Sequence, residues 1–226
     1  MSTRLNLAPR GETLGANVLL QIKELLLGGQ LMPGEQLSLR SMAEALGVSV
    51  MPVRAAVYQL VADQALEVAP NRSVRVPTMT ADQFREITAI RLQIEGYAVE
   101  EAALHVTPSL VQSLRELNAA LSEAMTRADT ERSEIVRLNK DLHFSVYETA
   151  GMPMLIKIIE TLWLRIGPVL NYDLRAGSER TEKRIAVEHH ARMIDALADG
   201  DAEAARSALR SDIDSAFQHI LAKQFS

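Results

Sequence analysis

The chain has 226 residues, 47% of them apolar, and a net charge of −5, enough for one large or two small domains with a substantial core. It contains no cysteine, which excludes disulfides, thiolate metal sites and cysteine nucleophiles and fits a reducing cytoplasm. The acidic balance excludes a protein that is basic all over, so contact with nucleic acid would have to come from a local patch.

The start, MSTRLNLAPRGET, lacks the continuous apolar core of a signal peptide, and no apolar run is long enough to span a bilayer. The expectation is a cytoplasmic protein with no membrane partner. Residues 1–10 read as a loose terminus. Leu14, Val18, Ile22, Leu25 and Leu26 then predict a helix over 12–27, which Gly28-Gly29 stops. Residues 30–37, QLMPGEQL, read as a turn segment around Pro33-Gly34.

Two short helices around a tight turn follow, at about 39–58. Leu39, Met42, Ala43 and Leu46 recur at helical spacing, and Gly47 supplies the positive φ that ends the first helix. Val48 can plug inward, Ser49 can cap the next helix, and Pro52 fits its first turn. Val53, Ala56, Val57 and Leu60 form the second apolar stripe. Such a pair is either a helix-turn-helix, whose second helix enters the DNA major groove, or an ordinary pair of packed helices. Arg40, Ser49 and Arg54 stay off the stripe and can reach phosphates or base edges.

Residues 65–68 and 73–76 are β-like runs around Pro70-Asn71-Arg72, a hairpin placed where a wing would be. Asn71 tolerates the turn, and Arg72 at the tip would point at the backbone or minor groove, or simply be solvated. Between Glu35 and Pro77 four arginines face four acids, so this region is neutral and the negative excess lies elsewhere. DNA affinity per subunit would be modest and salt-sensitive, and pairing two subunits would help.

Pro77-Thr78 marks a linker, and Thr80 can cap a new helix. Beyond it only helical patterns occur, at about 81–104, 108–128, 131–150, 153–171, 179–199 and 202–223. The fold class expected is mainly α, with an N-terminal winged helix-turn-helix (11–77) and a C-terminal all-α antiparallel bundle (80–223) able to enclose a pocket. Arg91 and Glu95, four apart, favour an internal ion pair over a clamp on a ligand carboxylate. Trp163 reads as core and Arg165 as solvated face. His105 reads as a helix C-terminal cap.

The segment QLMPGEQLSLRSMAEALGVSVMPVRAAVYQL (30–60), with the wing through Val76, resembles the GntR family of bacterial transcription regulators. The segments RLQIEGYAVEEAA (91–103), LHFSVYETAGMPML (142–155) and HARMIDALADGDAEAARSALRSD (190–212) resemble that family's FadR-type (FCD) effector domain. The resemblance covers about residues 12–221, in two blocks in the family's order, and six effector helices are similar to the shorter, VanR-like subgroup. It implies a homodimeric, ligand-responsive DNA-binding regulator, a repressor unless operator position makes it an activator. It also implies a palindromic double-stranded operator and a small organic or sugar acid bound in the helical domain.

Two departures concern DNA. The family's arginine after the turn serine is Val50 here, and the glutamate after the second arginine is Ala55. Losing that arginine removes a guanine contact worth on the order of 1–3 kcal/mol of discrimination. Val50 and Met51 could contact a thymine methyl instead, or merely weaken specificity.

The resemblance also implies a divalent metal in the effector pocket. The matching positions are Asn139, His143, His190 and Asp212, with Asn139 standing for the family's aspartate and Asp212 for its last histidine. Two imidazoles, a carboxylate and an amide oxygen suit Zn²⁺, Mn²⁺, Ni²⁺ or Fe²⁺, and a carboxylate effector could complete the shell. Arg91, His143, His190 and His219 are the candidate effector contacts. His143 and His190 could also be hydrogen-bonded pocket residues with no metal, and His189 should face elsewhere.

Two other functions compete. A metal-dependent enzyme would use His143, His190 and Asp212 to activate water, but no H-E-x-x-H, G-x-S-x-G or phosphate-binding glycine loop supports one, so no enzyme is expected. A ligand-sensing protein with weakened DNA specificity would fit Val50 and Ala55.

Overall fold

The computed structural model describes residues 14–69, 73–127, 130–176 and 183–225. The first helix, α1 (Leu14–Leu27), buries Val18, Ile22, Leu26 and Leu27. It ends where Gly29 takes a φ of +69°. The turn at Gly34 (φ +81°) then delivers a two-residue strand, β1 (Gln36–Leu37). This strand corrects the sequence reading of 30–37 as turn alone. Two residues are too few to carry a period, and only the pairing partner reveals them.

Helix α2 (Leu39–Ala45) starts at Ser38, whose side chain accepts the N–H of Ser41 at 3.2 Å. Gly47, at φ +65°, reverses the chain, and α3 (Val50–Ala62) leaves at 118° to α2. That angle is typical of a helix-turn-helix. Val48 packs against the core as expected. Ser49 does occupy the position before α3, but its side chain makes no capping hydrogen bond. The strands β2 (Glu67–Val68) and β3 (Val74–Arg75) form the hairpin, with Val68 opposite Val74. β1 pairs on the other side of β3, giving the order β1-β3-β2.

The body begins with α4 (Ala81–Ala103), opened by a capping box in which Thr80 and Gln83 satisfy each other's backbone N–H. There follow α5 (Pro108–Thr126), α6 (Arg132–Thr149), α7 (Pro153–Ala176), α8 (Ile185–Ala198) and α9 (Ala202–Gln224). Helix α7 runs past 171 to Ala176 and carries Pro168 within it rather than ending there. Helix α8 begins later than expected, after Arg184 in the left-handed region (φ 52°); residues 179–182 of the expected helix lie outside the described residues. Among the described residues no strand follows Arg75.

Helix α9 packs on α8 and α4, α5 on α6 and α8, and α1 on α3, α6 and α7. One apolar cluster runs through both parts, from Val18, Ile22 and Leu60 to Val99, Leu142, Ile159 and Leu209. The seam also carries polar ties: Lys23 to Glu160 at 2.7 Å and Lys140 to Glu24 at 2.6 Å. Among the described residues no single helix is long and apolar enough to cross a membrane.

Candidate functional site

Four helices converge on one buried polar cluster. On α4, Arg91 and Glu95 are one turn apart and share a face; on α6, His143 and Tyr147 do the same. Helix α8 contributes His190 and α9 contributes Asp212. The Nε2 atoms of His143 and His190 are 3.2 Å apart. Asp212 Oδ2 lies 3.4 Å from the first and 3.6 Å from the second. All three side chains are buried, at 2%, 0% and 6% exposure. Sequence spacing could place each on a helix, but only the packing of α6, α8 and α9 makes them neighbours.

These distances bear directly on whether a cation fits. Ligands about 2.0–2.1 Å from a tetrahedral Zn²⁺ stand about 3.3–3.4 Å from one another. The three observed separations bracket that edge, and the donor set is nitrogen and oxygen, as divalent transition metals accept. The residues present therefore fit such an ion. Asn139, one turn before His143 on α6, is half-buried. His219 lies seven residues beyond Asp212, about 10 Å along α9, and is not in the ligand cluster.

Around the cluster the polar groups are tightly paired. Arg91 gives two hydrogen bonds to Glu95, Nε to Oε1 at 2.5 Å and Nη2 to Oε2 at 3.1 Å. The ion pair expected from the spacing is thus formed, and both partners are buried. Burial alone would lower the Arg91 pKa; the charge of Glu95 and its hydrogen bonds outweigh this and raise it. Tyr147 donates to Glu95 Oε2 at 2.6 Å and stands 3.2 Å from His143 Nδ1. Burial, then the nearby Glu95 charge, hold the Tyr147 phenol well above its ordinary pKa of 10.0, against the lowering effect of Arg91. Trp163 of α7 packs against His143 with ring centroids 5.4 Å apart, and the Arg91 guanidinium lies 5.1 Å from its ring centre. It is core, as read, but core of this site.

The sequence reading missed Tyr147. The available signal was its place four residues after His143, on the same helical face.

On the head, Arg40 and Arg54 are exposed. Arg40 makes a solvent-facing pair with Glu44 at 3.1 Å, weak enough to open for another anion. Met51 is 69% exposed on the same side of α3, whereas Val50 is half-buried against the core. Tyr58, 61% exposed and one turn beyond Arg54, is a further outward residue that the sequence reading did not single out. Asn71 and Arg72 lie outside the described residues.

Comparison with known proteins gives two family matches. The model for bacterial regulatory proteins of the gntR family matches residues 14–76, and the model for the FCD domain matches residues 86–215. The HTH-type transcriptional regulator McbR of Escherichia coli (strain K12) is 36% identical over 188 residues, covering 83% of this chain and 84% of that protein. The uncharacterized HTH-type transcriptional regulator YdhC of Bacillus subtilis (strain 168) is 27% identical over 208 residues, covering 89% and 84%. The solved structure of E. coli McbR/YncC superposes with a TM-score of 0.85 at 32% identity, over 93% of this chain and 98% of that one. A putative GntR regulator from Rhodococcus sp. RHA1 shares the fold, with a TM-score of 0.72 at 21% identity over 92% and 98%.

Proposed function

Because the chain belongs to the GntR family of bacterial regulatory proteins and carries an FCD domain, we propose that a divalent cation held by His143, His190 and Asp212 is how this regulator senses a small carboxylate. The chain is a DNA-binding transcriptional regulator that responds to a ligand, like the regulators it resembles, and is not an enzyme. The observation that carries the metal reading is the spacing of the three ligand atoms, 3.2–3.6 Å. Charge supports it. Arg91 and Glu95 neutralise each other, so the remaining buried charge of this cluster is the Asp212 carboxylate among imidazoles. An anionic effector would be repelled there until a cation is present.

When bound, the cation supplies positive charge and open coordination positions for an oxygen ligand. Asn139, one turn before His143 on α6, would offer a further oxygen ligand. Arg91 gives Nε and Nη2 to Glu95, so an effector would meet only its remaining N–H groups, and His219 lies on a more distant part of α9. We assign residues 11–77 to DNA binding and 80–223 to effector binding. On the duplex, Arg54 and Ser49 at the start of α3, with Met51 and Val50, face the major groove. Arg40 takes phosphate, and Asn71 and Arg72 belong to the wing. A homodimer on a palindromic operator supplies the avidity that one neutral head lacks, and repression follows where the operator overlaps a promoter in the cytoplasm.

The test is a pair of variants. Arg54→Ala should lose affinity for duplex DNA from upstream of the chain's own gene while the fold and metal content stay intact. His143→Ala should lose Zn²⁺ while metal-free DNA binding stays near wild type. Trp163, the only tryptophan, lies beside His143 and reports metal binding by fluorescence. DNA binding untouched by Arg54→Ala overturns the docking, and Zn²⁺ bound equally by His143→Ala overturns the metal site.

A further inference from the structure

Tyr147 and Glu95 touch none of the atoms that would meet a cation, yet they lead to one of them. We infer that they form a positioning relay that fixes His143 as its Nδ1–H tautomer and so turns a bare Nε2 lone pair toward His190 and Asp212. The inference rests on the metal reading above only for its purpose; the proton on Nδ1 follows from the hydrogen bonds alone, and the bare Nε2 from the ring being neutral.

Each step uses what a group can donate or accept. Glu95, gripped by the Arg91 guanidinium through Nε and Nη2, is a carboxylate and can only accept. Tyr147 Oη lies 2.6 Å from Glu95 Oε2, so the phenol's single proton is directed there. That oxygen then has no proton left for His143. The 3.2 Å contact from His143 Nδ1 to Tyr147 Oη must therefore carry the proton on nitrogen. In the neutral ring only one nitrogen is protonated, so Nε2 is left as an acceptor. Nε2 is the atom facing His190 Nε2 at 3.2 Å and Asp212 Oδ2 at 3.4 Å.

Sequence and packing both serve this arrangement. Tyr147 is one turn after His143 on α6, and Glu95 reaches it across 52 residues because α4 packs on α6. The Trp163 ring flanks His143, limiting ring rotation. Free imidazole favours neither nitrogen strongly, so without the phenol His143 would divide its proton between them. Every molecule with the proton on Nε2 would have to lose or move it before that atom could ligate. Metal-ligating histidines generally have such an outer partner on the second nitrogen, and its loss costs about 10–100-fold in metal affinity. Here the carboxylate acts through an interposed tyrosine.

Tyr147→Phe keeps the ring and removes only the oxygen. Zn²⁺ alone, titrated against a chromogenic chelator, should bind Tyr147→Phe about 10–100-fold more weakly than wild type. Equal Zn²⁺ affinity in a folded Tyr147→Phe overturns the relay. The ¹⁵N spectrum of His143 in metal-free full-length protein gives a readout that mere packing would not move. Wild type should show Nδ1 protonated and Nε2 bare, and Tyr147→Phe should shift toward the Nε2–H form. A wild-type His143 with Nε2–H overturns the relay, even if Tyr147→Phe does not fold. If wild type takes up no Zn²⁺, the metal reading fails, and the ¹⁵N spectrum still decides the relay.

Discussion

Asn171, deep in α7, donates its side-chain amide to the backbone carbonyl of Leu27 at 3.1 Å, with a second contact to Leu26 at 3.2 Å. These are carbonyls of the last turn of α1, which has no later turn to satisfy them. The same α7 carries Trp163 against His143 and Glu160 against Lys23. One helix thus touches both the buried cluster and the helix on which α3 packs. Asn171→Ala should destabilise the protein by about 1–3 kcal/mol, the usual cost of leaving buried carbonyls unmet. It should also shrink any difference in DNA affinity between zinc-loaded and metal-free protein. Chemical unfolding and a DNA titration at fixed salt check the two parts.

Gly29 faces the same contact. Its φ of +69° strains any other residue, and an added Cβ would stand 2.8 Å from the Asn171 Cβ. Gly47 has a similar φ of +65° with open space around it. Gly47→Ala should therefore cost about 1–2 kcal/mol from the backbone alone. Gly29→Ala should cost more, because α1 and α7 must also separate. Urea unfolding of the two variants side by side measures the difference, and equal costs would mean the seam yields freely.

The Arg91–Glu95 pair is 4% and 0% exposed, so neither partner can recover water if the other is removed. Glu95→Ala should cost about 3–5 kcal/mol by stranding a buried guanidinium. Replacing both, as Arg91→Met with Glu95→Leu, should restore much of that loss. Unfolding midpoints of the single and double variants test this, and a Glu95→Ala protein as stable as wild type would contradict the burial argument.

Alkaline stability should report Tyr147. Its pKa is raised in the folded protein, so between the ordinary value of 10.0 and the folded value the unfolded chain loses a proton that the native state keeps. The unfolded state then binds fewer protons, and stability falls as pH rises above about 10. Below that value the contribution is complete. Tyr147→Phe should flatten this part of the profile, which thermal unfolding between neutral and strongly alkaline pH can follow.

Much of the head was legible because its signals are local. Gly47 ends α2, Val53, Ala56, Val57 and Leu60 line the buried side of α3, and Arg40 and Arg54 stay outside. Strand β1 was not legible, since Gln36 and Leu37 become a strand only by pairing with Arg75 and Val74. Nor did the serine rule hold at Ser49, where the cap position is filled but the side chain is not used. Helix type survived in the body, while some ends moved: α7 runs on past 171 to Ala176, and α8 begins only at Ile185.

The order of residues by itself determined the helical periods, the turns and the one-turn pairs Arg91–Glu95 and His143–Tyr147, because these depend on a few neighbouring residues and the pitch of a helix. Tertiary structure alone decided that His143, His190 and Asp212 share one point and that Tyr147 spends its proton on Glu95. Those relations join different helices, with His143 and His190 47 positions apart and Glu95 and Tyr147 52, and spacing within a helix carries no information about which face of another helix it will meet.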